Sequence, residues 1–171
     1  MDVAEAAKKY LVYPLMEICR LHMTHMVDSY PERVFAHALR HGYFDLVDKT
    51  APKTLNWNAK EAYETLGMRN FVVWVLYREG WLLVRSQLRT LVIPVVAHKG
   101  GFTDCDHWDE FYDEFIDMEM VALTSWKEQF EKMVRELRCS WCIQRAGLLR
   151  NKVDGVVQMH GKLASELAKS V

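Results

Sequence analysis

All four prolines of this 171-residue chain stand at the edges of stretches with helical period. That punctuation constrains the fold more than any other feature. Proline lacks the N–H that a helix interior needs but loses nothing in a first turn, where that donor has no partner anyway. Pro14 therefore opens one helix, with Leu15, Ile18, Cys19, His22 and Met26 along one stripe, and Pro31 opens the next, with Val34, Phe35, Ala38 and Leu39 facing inward. Gly42 closes that helix where a left-handed residue is wanted. Pro52 stops a short helix running from Phe44 to about Thr50, because the residue before a proline disfavours the helical region. Pro94 breaks or kinks a long apolar helix running from about Arg69 to Leu91.

The remaining segments follow the same code. Val3, Ala6, Ala7 and Tyr10 recur at helical spacing behind a capping Asp2. Asn58 begins a helix with Glu61 three residues on as its capping-box partner, and Gly67 ends it. Residues 97–104, Ala-His-Lys-Gly-Gly-Phe-Thr-Asp, are the clearest loop. Thr103 or Asp104 caps a helix that runs toward Arg138, and a last helix runs from about Ser140 to Leu167. Gly147, Gly155 and Gly161 weaken that last helix by about 1 kcal/mol each relative to alanine and allow a neighbouring helix to approach closely. The strand candidate Val92–Val96 contains Pro94, which argues against a central strand. The expected fold is all-α, about seven helices in one domain over 1–171. A helical group (1–96), a loop (97–104) and a long C-terminal helical pair (105–171) compose it.

Composition narrows the function classes. Half the residues are hydrophobic, enough for a sizeable core. A balance of 22 basic and 23 acidic residues leaves no electrostatic footprint for nucleic acid or an anionic membrane. The most apolar run, Phe71 to Tyr77, is far short of the roughly 20 residues of a membrane span. The start Met1-Asp2-Val3-Ala4-Glu5 lacks the basic and apolar regions of a signal peptide. Four unevenly spaced cysteines do not make a disulfide framework. These features point to a cytoplasmic or nuclear protein.

Chemistry-bearing residues fall into three groups. Cys139 and Cys142 form a Cys-x-x-Cys pair, and with Cys105 and His107 they offer three thiols and an imidazole, a tetrahedral zinc set by residue type. Against that, one unbroken helix from 104 to 138 would hold residues 105 and 139 about 50 Å apart. Unless that helix breaks, the thiols are buried apolar side chains and no cofactor is expected. His37 and His41, and His22 and His25, are spaced to share a helical face. Ala38 follows His37, so the zinc-protease motif, which needs Glu there, fails. Asp106, Asp109, Glu110, Asp113, Glu114 and Asp117 alternate with Trp108, Phe111, Tyr112, Phe115 and Ile116. The apolar set should face a core, and the carboxylates should form a wet face able to dock a basic partner. No nucleophile elbow or phosphate loop is present, and no catalytic residue is assigned.

Two stretches carry a family likeness. One is Val3-Ala4-Glu5-Ala6-Ala7-Lys8-Lys9-Tyr10 with Leu15-Met16-Glu17-Ile18-Cys19-Arg20-Leu21-His22-Met23. The other is Pro31 to Leu46, with its His41-Gly42 helix end, followed by Ala51-Pro52-Lys53-Thr54-Leu55 and a tryptophan-containing helix from Trp74 to Trp81. They resemble the last two BTB helices and the BACK-like helical region of fungal (basidiomycete-type) BTB/POZ proteins, without the BTB β-sheet. The resemblance implies a non-enzymatic protein–protein interaction module of an adaptor or scaffold. Its partner would be a protein or a second copy in a homodimer, contacted through Asp106, Asp109, Glu110, Asp113, Asp117, Trp74 and Trp81. Two alternatives stand beside it: a zinc-binding or metal-dependent helical protein using Cys105, His107, Cys139 and Cys142, and a small-molecule-binding helical bundle.

Overall fold

A computed structural model describes residues 2–98, 100, 101, 103 and 105–171, without the side chain of residue 2. Every regular element among the described residues is helical. They are α1 (Asp2–Lys9), α2 (Tyr13–Met26), α3 (Pro31–His41), α4 (Phe44–Thr50), a 3-10 turn (Ala51–Thr54), α5 (Ala59–Leu88), α6 (Asp106–Ile116), α7 (Met120–Thr124), α8 (Trp126–Glu136), α9 (Ser140–His160) and α10 (Ala164–Ser170). The Val92–Val96 segment has no strand. No helix among the described residues is long and apolar enough to cross a membrane.

The helix boundaries follow local chemistry. Pro14 and Pro31 occupy first-turn positions of α2 and α3. Gly42 takes φ +72° and returns its N–H to the Ala38 carbonyl, closing α3. The Asn58 carboxamide oxygen accepts the Lys60 N–H at 2.9 Å and caps α5. Gly67, at φ +70° and ψ 164°, breaks α5 into two helical stretches.

The chain forms two compact units, residues 1–74 with 164–171 and residues 75–163. The division lies within α5, between Trp74 and Val75, and not at the 97–104 loop. The first unit buries Phe35, Val34, Ala38, Leu46, Val47 and Leu55. Trp74 is buried with them and donates its indole N–H to the Thr54 carbonyl at 3.1 Å. Within the same unit α10 is tied to α4, because Asp48 accepts the Ser165 N–H at 2.9 Å and the Ser165 hydroxyl at 2.6 Å.

In the second unit the long helix expected from 104 to 138 does not form. Asp104 itself lies outside the described residues. The chain turns at Asp117 and again at Ser125, giving α6, α7 and α8. Phe130 of α8 packs edge-on against both Phe111 and Phe115 of α6, at 5.5 and 5.3 Å between ring centres. The reason lies in the phase of the apolar residues. Phe115 to Met120 is a step of five, which in one straight helix would turn Met120 about 140° from Phe115, off the face that Trp108, Phe111 and Phe115 share. Breaking the helix buries all four, together with Leu123 and Trp126. The last helix also stops early, at His160 before Gly161, and α10 is separate.

Candidate metal centre

Because α8 returns along α6, the end of α8 comes back to the start of α6. Cys105 immediately precedes α6, Cys139 immediately precedes α9 and Cys142 sits in the first turn of α9. His98 joins them from the irregular segment that follows α5. One donor atom from each of His98, Cys105, Cys139 and Cys142 lies within 4.8 Å of every other. All four residues belong to the second compact unit.

The separations have the scale of a metal tetrahedron. With Zn–S near 2.3 Å and Zn–N near 2.0–2.1 Å, the edges are about 3.8 Å between sulfurs and about 3.6 Å between sulfur and nitrogen. The Cys105 and Cys142 sulfurs are 3.5 Å apart. His98 Nε2 is 3.9 Å from Cys139 Sγ and 4.0 Å from Cys142 Sγ. A disulfide would need sulfurs about 2.05 Å apart, and all the cysteines are free thiols. Three thiols and an imidazole are the kind of donor set that structural zinc sites use, where four protein ligands leave no open position.

The surroundings favour thiolate at one member. Cys139 is held below the ordinary thiol range, first by the backbone N–H of Cys142, with Cys142's side chain and the Trp141 N–H adding to it. Cys142 is fully buried, and burial, followed by its contact with Cys105, pushes its thiol up to about 12. A buried thiol of that kind stays protonated unless a cation replaces its proton. Trp141 stacks on the His98 imidazole with ring centres 6.4 Å apart, which orients it.

His107 lies outside the four-residue cluster. It is exposed on α6, with Nδ1 3.9 Å from Cys105 Sγ. Sequence reasoning chose it because it is two residues from Cys105. The signal available for His98 was its place in the segment between α5 and α6, shortly before Cys105.

The other candidate residues are dispersed or placed differently. Asp106, Asp109, Glu110, Asp113 and Asp117 are exposed along or just after α6, while Trp108, Phe111 and Phe115 are buried beneath them. Trp74 and Trp81 are both buried and present no docking surface. His22 and His25 are exposed on α2 and belong to no cluster among the described residues. His37 and His41 do meet, together with Glu5, in the first unit.

No protein-family model matches the chain, and comparisons with curated proteins and with solved structures return no significant match.

Proposed function

We propose that this chain is a non-enzymatic, zinc-stabilised helical interaction module. The observation that carries the reading is the convergence of His98, Cys105, Cys139 and Cys142 donors within 4.8 Å. A closed Cys₃His site offers no position for substrate, so its contribution is to folding. It would clamp the segment after α5, the start of α6 and the start of α9 to one another. The BTB/BACK-like resemblance of the first unit supports the adaptor half of the reading.

A second observation favours a protein-binding role. Val3, Ile18 and Tyr30 are largely exposed around a groove of about 630 Å³ between α1, α2 and α3, also lined by Leu15, Met23 and Met26. Exposed apolar surface of this kind marks a contact site, and it suits an apolar helix of a protein partner. Arg33 is its fixed charge, and among the described side chains no carboxylate lines it.

Metal analysis after dialysis tests the first half. The protein should retain one tightly held zinc in the Cys₃His site, and Cys105→Ser with Cys139→Ser should lose it. Intact protein with all four residues and no tight zinc would sink the reading. For the groove, a solvent-sensitive naphthalene dye should brighten on the native protein, and Ile18→Asp should remove most of that signal.

A further inference from the structure

We infer that Glu5, His37 and His41 form a second, separate transition-metal site of two-histidine, one-carboxylate type, with an open coordination position. His37 and His41 are four residues apart on α3, so their imidazoles stand on one face, with ring centres 4.2 Å apart. Glu5 reaches them from α1. Its Oε1 is 3.6 Å from His37 Nδ1 and its Oε2 is 3.2 Å from His41 Nε2. One donor atom from each residue lies within 4.8 Å of the others.

The two ring nitrogens point to a ligand. Neither His37 Nδ1 nor His41 Nε2 makes a well-aligned hydrogen bond. His37 Nδ1 has Glu5 no nearer than 3.6 Å, while His41 Nε2 faces Glu5 Oε2 at 3.2 Å, a contact that against the effect of burial helps hold the Glu5 carboxyl low. The His37 side chain is only 3 % exposed, and a buried polar atom left unpaired costs stability unless something occupies it. A metal ion accepting both lone pairs would satisfy them. Burial pushes the His37 imidazole down to about 4, with the neighbouring His41 and Arg40 adding to it and Glu5 opposing. The ring is therefore neutral near pH 7, which is the form that binds metal.

The site differs in kind from the thiol cluster. Three protein donors leave one position of a tetrahedral metal free. A small cavity of about 150 Å³ adjoins the site, lined by Glu5, His37, Arg33 and Arg40. Arg40 holds Glu5 Oε1 at 2.8 Å and leaves Oε2 for the metal. With two guanidinium groups lining that cavity, the open position suits water or a small anion such as a carboxylate or phosphate.

Cobalt(II) titration of the full chain separates this site from the first. Cysteine-bound cobalt shows sulfur-to-metal charge transfer, and cobalt held by nitrogen and oxygen does not. The expected result is two equivalents bound, one with and one without that band. His37→Gln with His41→Gln should remove only the second equivalent. Glu5→Gln, which leaves both buried rings in place, should weaken it at least about tenfold while the charge-transfer band is unchanged. Circular dichroism confirms that each variant is folded. A folded wild-type chain that binds only the thiol-held equivalent overturns the inference. So does a second equivalent that survives either variant. Neither result touches the Cys₃His reading, which the charge-transfer band reports independently.

Discussion

A Cβ placed on Gly80 would lie 2.5 Å from the carbonyl oxygen of His160. The two residues belong to α5 and α9, so the helices meet there backbone to backbone within the second unit. The Gln87 side chain holds the same His160 through its Nε2 at 2.9 Å. Alanine would gain about 1 kcal/mol of helix preference over glycine. A contact that close to a backbone atom cannot be relieved by a rotamer change, so the helices must separate. Gly80→Ala should therefore lower stability by about 1–3 kcal/mol in urea unfolding. Gly147 and Gly155 of α9 have open space where a Cβ would go. Alanine at either should raise stability by up to about 1 kcal/mol. Equal stabilities for the alanine variants at 80 and 155 would contradict the close approach.

The two histidines nearest the thiols make opposite predictions. His98 contributes a donor to the four-membered cluster, whereas His107 lies outside it on the exposed side of α6. His98→Ala should weaken zinc binding by more than about 100-fold, since even a lost outer-shell partner costs about 10–100-fold. His107→Ala should change it less than about twofold. Competition with a chromogenic chelator measures both. A large loss on His107→Ala with none on His98→Ala would reverse the assignment.

Much of the first unit was legible because its boundaries are written in local chemistry. Pro31, Gly42, Asn58 and Gly67 each act within a turn of where they stand, and the structure uses each at a helix boundary or break. The amphipathic character of α6 was equally plain from its alternating aromatics and carboxylates. The turn at Asp117 was harder, because neither glycine nor proline marks it. Its signal is the five-residue step from Phe115 to Met120, a phase shift that only matters once both apolar sets must be buried. Missing that turn also separated Cys105 from Cys139 by the length of a helix. The three thiols grouped by residue type do converge, but the imidazole that joins them depended on a fold-back that no local rule announces. Gly147, Gly155 and Gly161 were read as contact points by their smallness; the first two have open space, a Cβ at Gly161 would lie 3.5 Å from the Trp81 ring, and the tightest approach falls at Gly80.

In metal-free protein kept in chelator, His37 makes stability depend on pH. Its folded-state value of about 4 lies below the ordinary imidazole value of about 6.5. The groups that face it are Glu5 on α1 and His41 and Arg40 on α3. Because the folded state resists protonation, the unfolded chain binds more protons between those two values. The stabilisation is complete above about pH 6.5 and is lost as the pH falls toward 4, with an upper bound of about 3 kcal/mol. Urea midpoints at pH 7, 6, 5 and 4, taken on wild type and His37→Gln, measure it. The variant should show a shallower fall, and parallel curves would mean that His37 is not buried in its neutral form.

Asp48 and Ser165 are 117 positions apart in sequence, and their contact fastens a helix too short to stand alone. α10 has seven residues, well below the length at which an isolated helix is stable in water. Asp48 Oδ1 accepts the Ser165 N–H at 2.9 Å, satisfying one of the donors left unpaired at the start of α10, and Oδ2 accepts the Ser165 hydroxyl at 2.6 Å. Both bonds run to a charged acceptor, the stronger class. Ser165 is buried, so losing its partner leaves a desolvated N–H behind. Asp48→Ala should cost about 1–3 kcal/mol and Ser165→Ala about 1 kcal/mol. The double variant should cost less than the sum, because both single changes break the same hydroxyl bond. Amide exchange over Ala164–Ser170 gives the local readout, since the loss of Asp48 should free α10 to open without unfolding the rest of its unit. Unchanged protection in Asp48→Ala would mean that the apolar contacts of Ala164, and the stacking of Lys169 over the Phe44 ring at 4.8 Å, hold α10 without the carboxylate.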